Sequence, residues 1–260
     1  MAMSDRGTRH EKMLYLLGKS QVMTIRQLAQ SLQVSEMTIR RDVALLEDAR
    51  KVKSFYGGVS LSLEDSMSVA QPYVIDTELI ERTEIKKRIA KKAASLIEAN
   101  DVILIDAGST TSFIVDYIPV GSHHTIYCYS LNILNSVCES DSLSVVFFGG
   151  CFHKNTRMFE SDEGAALIRK TRINKAFMAA RGVTDTVGIT TAEPYEINMK
   201  RAALSVADQK ILLVDSSKFG KVWYAKYAAL QDIDIIITDS DLKEKYREMI
   251  LNNGITIYTV

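Results

Sequence analysis

Hydrophobic residues follow two different periods along the chain. Near its start, apolar positions such as Met13 and Leu17 recur every three or four residues, which predicts amphipathic helices. Residues 78–98 predict one long helix with Ile85 and Ile89 facing inward. Beyond it, short apolar runs alternate with helical segments, which predicts a largely parallel sheet covered by helices on both faces. The predicted strands are Val102–Asp106, Thr125–Tyr129, Ser144–Phe148, Lys175–Ala179, Ile211–Asp215, Ile233–Thr238 and Ile255–Tyr258.

The first 60 residues predict a helix-turn-helix. Thr24 and Gln27 have the spacing of a capping box at the start of one helix, and Ser35 is a suitable N-cap for the next. The apolar face of that next helix comprises Ile39, Val43 and Leu46, and its outer face Glu36, Met37, Thr38, Arg40 and Arg41. Two helices joined by a tight turn, the second bearing arginines on its outer face, are typical of proteins that enter the major groove of DNA.

A β-hairpin wing is predicted after these helices, because residues 50–59 alternate loosely and contain Gly57-Gly58. Such a wing would bring basic and aromatic side chains to the DNA backbone. The candidate DNA-contacting residues are Ser35, Met37, Thr38, Arg40, Arg41, Lys53 and Tyr56. The alternative for the arginine pair is an ordinary solvated helix face.

The charge distribution supports a nucleic-acid partner although the total does not. Lys+Arg 32 and Asp+Glu 32 give the 260 residues a net charge of zero. Residues 1–60 contain ten basic and six acidic residues, a net +4, which leaves −4 on the rest. Residues 61–76 are rich in serine and acids and lack basic residues, which predicts a linker between a DNA-binding domain (1–60) and a second domain (77–260).

Polar residues collect where the predicted strands end. The run Asp106 to Thr111 follows one strand and opens a helix, so its backbone N–H groups and hydroxyls could hold a phosphate. Lys218 follows another strand and could add a positive charge. Each feature alone is also typical of a helix cap or a turn. Because ligands of open α/β sheets bind at the carboxyl ends of strands, the set predicts a pocket for a phosphorylated sugar. Further candidates near it are Tyr129, Asn132, Gly149, Gly150, Arg181, Glu196 and Lys200.

The chain resembles the DeoR family of bacterial sugar-responsive repressors. The resemblance lies in Ser35-Glu36-Met37-Thr38-Ile39-Arg40-Arg41-Asp42 and in Tyr56-Gly57-Gly58-Val59, and it extends over the second domain. It implies a homo-oligomeric repressor that binds double-stranded operator DNA and is released by a sugar phosphate. It also implies an α/β sensor domain similar to ribose-5-phosphate isomerase and glucosamine-6-phosphate deaminase.

The same resemblance assigns roles at the pocket. The phosphate would be held by Gly108, Ser109, Thr110, Thr111 and Lys218, and the sugar would be faced by Asp106, Tyr129, Asn132, Glu196 and Lys200. Three segments resemble the family member that answers to deoxyribose 5-phosphate, which implies that effector. They are residues 128–132, 149–153 and 217–222.

An enzyme and a metal protein are the alternatives to a regulator. A sugar-phosphate isomerase fused to a DNA-binding head is disfavoured, because Ala180-Arg181-Gly182-Val183 stands where the isomerase has Asp-Gly-Ala-Asp. We predict no cofactor and no metal site, since no histidine and cysteine spacing matches a zinc motif. Three widely spaced cysteines, no signal peptide and no apolar run of about 18 residues predict a cytoplasmic protein without a membrane segment.

Overall fold

The structure is a computed structural model that describes residues 6–20, 22–49, 51–55, 58–61, 74–119, 124–140 and 142–260. Within these ranges the chain forms two units with separate hydrophobic cores. None of the helices described is long and apolar enough to cross a bilayer.

The N-terminal unit confirms the predicted helix-turn-helix and its hairpin wing. Its elements are α1 (Arg6–Ser20), β1 (Val22–Met23), α2 (Ile25–Leu32), α3 (Glu36–Asp48), β2 (Val52–Phe55) and β3 (Gly58–Leu61). The three strands form an antiparallel sheet in the order β1-β3-β2. Met13, Leu17, Leu28 and Ile39 are fully buried between the helices and the sheet, which fixes the position of α3.

Side-chain caps set where the helices of this unit begin. The Gln27 N–H donates to Thr24 Oγ1 at 3.1 Å and the Thr24 N–H donates to Gln27 Oε1 at 2.8 Å, which completes the predicted capping box. The Thr38 N–H donates to Ser35 Oγ at 3.2 Å, so Ser35 caps α3 as predicted. Between the two helices Gln33 adopts a left-handed conformation with φ 54°, which ends α2 and makes the turn tight.

The single helix predicted over residues 78–98 is wrong. The chain forms α4 (Ile75–Ile80) and α5 (Thr83–Ala94), separated at Arg82, whose φ is 53°. Arg82 donates to Asp215 at 2.8 Å and lies 3.3 Å from Asp239, at the ends of two strands of the large sheet. These long-range ion pairs hold Arg82 in a conformation that interrupts the helix, and a local apolar period does not reveal them.

The C-terminal unit is built on a seven-stranded parallel sheet, as predicted. The strands of the whole C-terminal unit, in this sheet and in two smaller ones, are β4 (Val102–Ile105), β5 (His124–Cys128), β6 (Leu143–Phe147), β7 (Cys151–His153), β8 (Met158–Glu160), β9 (Ile173–Ala179), β10 (Gly182–Thr184), β11 (Gly188–Thr191), β12 (Ala207–Leu213), β13 (Ala225–Ala228), β14 (Ile235–Thr238) and β15 (Thr256–Thr259). The large sheet has the order β15-β14-β12-β9-β4-β5-β6. All seven predicted strands belong to this sheet. In its strand order, β12, β9 and β4 are neighbours at the centre.

Helices cover both faces of this sheet. On one face lie α5, a 3-10 helix (Thr111–Tyr117) and α6 (Leu131–Cys138). On the other lie α7 (Asp162–Ile168), α8 (Glu196–Val206) and α9 (Glu244–Asn252). Strands buried on both faces explain why their sequences are continuously apolar.

Two smaller sheets were not predicted. β7 and β8 form an antiparallel hairpin, and β10, β11 and β13 form a three-stranded antiparallel sheet. Strands of three or four residues contain too few positions to establish an alternating pattern. The second of these sheets follows β9 directly and therefore stands beside the carboxyl edge of the large sheet.

The two units touch through the wing. The Phe55 ring of β2 lies 5.4 Å from the Tyr224 ring, and Val22 packs with Val187 and Val222. Of the predicted linker 61–76, Leu61 ends β3 and residues 75–76 begin α4, while residues 62–73 lie outside the described residues.

Candidate functional site

The outer face of α3 presents the predicted DNA-contacting side chains to solvent. Met37 is 60% exposed, Arg40 and Arg41 are exposed, and Arg40 lies 4.0 Å from Glu36 on the same face. The Ser35 and Thr38 hydroxyls lie 2.9 Å apart at the start of the helix. A helix end with exposed hydroxyls and guanidinium groups has the chemistry to contact phosphates and base edges.

The wing is joined to α3 by hydrogen bonds. Glu47 accepts from the Ser54 N–H at 2.9 Å and from its hydroxyl at 2.5 Å, and these bonds lower the pKa of Glu47. Lys53 is exposed on β2 beside Ser54. Tyr56, the other wing residue predicted to contact DNA, lies outside the described residues. Helix and wing are thus linked into one surface.

Asp42 is a structural residue of this surface that the sequence analysis missed. It lies on the buried face of α3, where its carboxylate accepts from Arg9 at 3.0 Å and lies 3.1 Å from His10. Burial alone would raise the pKa of Asp42, but the bonds from Arg9 and His10 hold it below its usual range. Its position three residues after the buried Ile39 was the available signal, since that spacing places it at the edge of the apolar face.

Six of the predicted ligand residues meet at a cavity at the carboxyl ends of β4, β9 and β12. The cavity encloses about 450 Å³ including its open mouth, and its polar lining comprises Glu78, Ser109, Thr110, Arg181, Thr191, Glu196, Lys200, Asp215 and Lys218. Six of these were sequence candidates: Ser109, Thr110, Arg181, Glu196, Lys200 and Lys218. Because β4, β9 and β12 are neighbours, three loops distant in sequence meet there.

The loop after β4 approaches β9 closely. A Cβ on Gly108 would lie 2.4 Å from the Ala179 Cβ, so only glycine fits without a shift. The Thr111 hydroxyl donates to the Asp106 carbonyl at 2.6 Å and to the Gly108 carbonyl at 3.0 Å, so it stabilises the loop. Ser109 and Thr110 face the cavity. The helix that this loop opens is a 3-10 helix.

A buried charge network forms the floor of the cavity. Lys200 donates to Asp106 at 2.5 Å and lies 3.3 Å from Glu196. Asp106 also accepts from the Tyr129 hydroxyl at 2.5 Å and from the Ala179 N–H at 2.8 Å. Tyr129 therefore lies beneath the floor, behind Asp106.

Burial and neighbouring charges have opposite effects on the pKa values of Lys200 and Glu196 in this network. Burial alone would lower the pKa of Lys200, but Asp106 and Glu196 raise it above its usual value. Burial raises the pKa of Glu196, although Lys200 opposes this. Burial and Asp106 both raise the pKa of Tyr129. The lysine therefore stays cationic and the tyrosine stays neutral.

Glu78 occupies the cationic end of the cavity, a position that the sequence analysis missed. Its carboxylate contacts Arg181 and lies 3.1 Å from Lys218 Nζ and 3.9 Å from Lys86 Nζ. Burial would raise the pKa of Glu78, but Lys218 and Arg181 lower it to about 2. Burial lowers the pKa of Lys86 to about 8. No sequence signal identified Glu78, because an acid within an amphipathic helix normally faces solvent.

Asn132, predicted to face the sugar, and Gly149 and Gly150, predicted to lie near it, are not in the lining of this cavity. The Asn132 side-chain oxygen accepts from Arg157 at 3.3 Å. Gly150 turns the chain into β7 with φ 148°, and a Cβ there would lie 2.2 Å from the Glu160 carbonyl oxygen. This glycine is required by the turn and the close approach of β8.

Among the described residues, one group could hold a metal ion. Cys151, His153 and Glu160 bring their ligand atoms within 4.8 Å of one another on the β7–β8 hairpin. Cys151 and Glu160 are cross-strand partners and His153 is two residues further on. The sequence does not predict this group, because its members become neighbours only when the hairpin forms.

Comparison with known proteins agrees with this two-unit arrangement of a helix-turn-helix and a sensor. Residues 9–64 match the DeoR-like helix-turn-helix domain and residues 81–240 match the DeoR C terminal sensor domain. The chain belongs to the DeoR family of transcriptional regulators.

Two relatives are similar over nearly their whole length. The HTH-type transcriptional regulator IolR of Bacillus subtilis is 32% identical over 244 residues, covering 94% of this chain and 95% of the relative. The deoxyribose operon repressor of Escherichia coli K12 is 32% identical over 235 residues, covering 90% and 91%. Among solved structures, ribose 5-phosphate isomerase A of Methanocaldococcus jannaschii is 18% identical with a TM-score of 0.38, covering 54% of this chain and 55% of that one.

Proposed function

We propose that this protein is a cytoplasmic transcriptional repressor that binds double-stranded operator DNA and is released by a phosphorylated sugar. The observation that carries the proposal is the convergence of Ser109, Thr110, Arg181 and Lys218 at one sheet edge, in a chain whose α3 exposes two arginines. Binding of the two ligands is thermodynamically linked. If a sugar phosphate weakens operator binding, operator DNA must weaken sugar-phosphate binding by the same factor.

The cavity has the chemistry for both ends of such an effector. Lys218 and Arg181 supply positive charge, and Ser109 and Thr110 supply hydroxyl donors for a phosphate. Thr191 and the carboxylate of Glu196 line the remaining wall and can hydrogen-bond sugar hydroxyls. In this assignment Asp106 and Tyr129 act from beneath the floor, by positioning Lys200.

Deoxyribose 5-phosphate is our candidate effector. Its support is the similarity of residues 128–132, 149–153 and 217–222 to the family member that answers to deoxyribose 5-phosphate, together with the relative named for the deoxyribose operon. IolR is equally identical to this chain, so a different phosphorylated sugar is the alternative. A thermal-shift panel of sugar phosphates tests the choice, because a ligand that binds the folded state raises its melting temperature. A larger shift with another sugar phosphate would exclude deoxyribose 5-phosphate.

The same cavity is proposed to bind without turnover. An isomerase needs a carboxylate that is free to take a proton beside the substrate carbonyl. Here Asp106 and Glu196 are both paired with Lys200, and the isomerase run Asp-Gly-Ala-Asp is replaced by residues 180–183. Incubation with ribose 5-phosphate and with deoxyribose 5-phosphate tests this, and conversion faster than in buffer would indicate an enzyme.

The DNA-binding half is tested with Arg40→Ala. The operator is first isolated by selection from a random duplex library, and binding is measured by fluorescence anisotropy. Losing a base or phosphate contact should weaken operator binding by about 1–3 kcal/mol per head, roughly 5- to 150-fold. Arg88→Ala is the matched control, since Arg88 is exposed on α5 of the sensor. Unchanged affinity in Arg40→Ala would show that α3 is not the recognition helix.

The effector-binding half is tested with Lys218→Ala in the same assay. Whatever operator affinity the variant has without effector, the effector should no longer lower it, because the phosphate loses a cation. Lys170→Ala, at an exposed lysine after α7, is the control. Normal release of Lys218→Ala would remove Lys218 from the phosphate site. A homo-oligomer with several heads on paired half-sites is part of the proposal and would multiply the effect of a head mutation.

A further inference from the structure

The cationic end of the cavity is already occupied by a carboxylate of the chain itself. Glu78 contacts Arg181 and lies 3.1 Å from Lys218, the two cations assigned to the effector's phosphate. Its side chain is only 11% exposed, so water screens these pairs weakly. With a pKa of about 2, Glu78 carries its charge at every pH near neutrality.

Glu78 reaches this position from a short helix. α4 has six residues, its N-cap Val74 makes no side-chain capping bond, and Arg82 lies in the corner that follows it. Its other links to the sensor include the buried Ile75 side chain, the Ile75 N–H, which donates to the Asn155 carbonyl at 2.8 Å, the Lys86 ammonium, which donates to the Glu78 carbonyl, and Asp76, 2.8 Å from Arg157. The ion pairs of Glu78 are the attachment of α4 that reaches into the cavity.

α4 is also the first described element of the sensor after the wing. β3 ends at Leu61 and α4 begins at Ile75, with residues 62–73 between them outside the described residues. The position of α4 therefore sets the point at which the chain leaves the sensor towards the DNA-binding unit. A change at Glu78 is transmitted to that point within a single helix.

A phosphate and the Glu78 carboxylate cannot both hold these cations. Two anions forced into one partly buried site repel each other strongly, and the more highly charged phosphate gains more from Arg181 and Lys218. Lys86 remains beside the helix, donating to the Glu78 backbone carbonyl, and does not depend on the carboxylate for that bond.

We infer that Glu78 is an internal competitor of the effector, whose phosphate displaces the Glu78 carboxylate from Arg181 and Lys218 and thereby weakens the attachment of α4 to the sensor. This role rests on the proposed function, in which a sugar phosphate releases the protein from operator DNA, and displacement of Glu78 would be the first step of that release. The ligand class is a sugar phosphate, with inorganic phosphate as its minimal member. Without effector, Glu78 keeps α4 seated, and with effector the exit point of the chain is released.

The test compares Glu78→Gln with wild type in the full chain. Glu84→Gln is the matched control. It removes the same charge six residues away, at a side chain that is 86% exposed. Isothermal titration with inorganic phosphate should give at least tenfold tighter binding to Glu78→Gln than to wild type, and no change for Glu84→Gln. Without effector, Glu78→Gln should also bind operator more weakly than wild type. Equal phosphate binding by Glu78→Gln would mean that Glu78 does not oppose phosphate binding, and weaker binding would mean that Glu78 contributes to it. Either result would overturn the inference.

A measurement on the wild type covers the case in which Glu78→Gln does not fold. Amide hydrogen exchange in residues 75–80 should accelerate when phosphate is added, while exchange in β9 stays unchanged. Unchanged or slower exchange in α4 at saturating phosphate would overturn the inference.

The two proposals fail differently. If sugar phosphates release wild-type protein from operator and Glu78→Gln shows no gain in phosphate affinity, the competitor role is wrong and the regulator role stands. If Glu78→Gln gains affinity but no sugar phosphate changes operator binding, the proposed release by a sugar phosphate is wrong and the competition stands.

Discussion

Buried acidic residues organise both sites of this protein. Asp42 fixes α3 through Arg9, Asp106 positions Lys200, and Glu78 neutralises Arg181 and Lys218. Each carboxylate is buried with cationic partners, and removing one partner would leave an uncompensated charge. The chemistry of the two surfaces therefore depends on residues that neither surface exposes.

The pH dependence of stability reports on Glu78. Its pKa of about 2 lies below the ordinary 4.5, so the unfolded chain takes up a proton first as the pH falls. The stabilisation is complete above about pH 4.5, amounts to about 3 kcal/mol, and disappears as the pH approaches 2. Urea titrations should show Glu78→Gln less stable than wild type at pH 6 by about that amount, and by roughly half of it at pH 3.

Glu84→Gln is again the control and should match wild type at each pH. A stability gap between wild type and Glu78→Gln that stayed constant from pH 6 to pH 3 would contradict the ion-pair explanation, since packing does not titrate.

At the residue scale, the sequence identified several polar residues at strand ends but missed two acids within helices. Ser109, Thr110 and Lys218 were identifiable because hydroxyls and a lysine follow apolar strands. Asp42 and Glu78 were missed because an acid in a helix is solvated unless a partner far away in sequence covers it. Those partners, Arg9 and Arg181, are adjacent only in the folded chain.

Among the elements, the loop after β4 has a shape that depends on a glycine. Gly108 lies against Ala179, and the Thr111 hydroxyl closes the loop through two carbonyls. The loop holds Ser109 and Thr110 towards the cavity only in this conformation. Its backbone is thus part of the proposed phosphate site.

Gly108→Ala should separate the two functions of the chain. The new Cβ would stand 2.4 Å from the Ala179 Cβ, and relieving that overlap should cost about 1–3 kcal/mol of loop geometry. Phosphate binding measured by calorimetry should weaken by at least roughly fivefold, while operator binding stays as in wild type. Gly149→Ala is the matched control, because a Cβ there meets nothing within 4 Å. Equal phosphate affinity in Gly108→Ala would mean that the loop does not hold the ligand.

Periodicity was sufficient for long elements and insufficient at corners. The seven strands and α3 were predicted from apolar runs and caps, because burial on two faces or a capping serine is a local property. The break between α4 and α5 was not, because Arg82 is held by Asp215 and Asp239. The start of β12 at Ala207 was also missed, since its first residues are largely polar and are fixed by pairing with Ile173 and Lys175 of β9.

Across the whole molecule, the cavity and the wing are connected by a row of contacts. The Arg181 guanidinium lies 4.6 Å from the centre of the Trp223 ring, Trp223 meets the edge of Tyr224 at 6.2 Å, and Tyr224 packs against Phe55 of β2. An exchange of partners at Arg181 therefore takes place two side chains away from the DNA-binding unit.

Tyr224→Ala should reduce the coupling between effector and operator. The measured quantity is the ratio of operator affinities without and with effector, typically a factor of roughly 5 to 150 in allosteric proteins. The ratio should fall several-fold in Tyr224→Ala and in Phe55→Ala. Leu251→Ala, at an exposed leucine of α9, should leave it unchanged. A wild-type ratio in both wing-contact variants would exclude this contact from the coupling.

The cavity is assembled from residues spread from Glu78 to Lys218, whereas the DNA-binding unit is complete at Leu61. At roughly 5–20 residues added per second, a ribosome needs roughly eight to thirty seconds to pass from Leu61 to Lys218. During that interval a nascent chain can complete the helix-turn-helix and its wing but not the cavity. A ligand that needs the whole cavity can therefore be recognised only by a chain synthesised at least as far as Lys218.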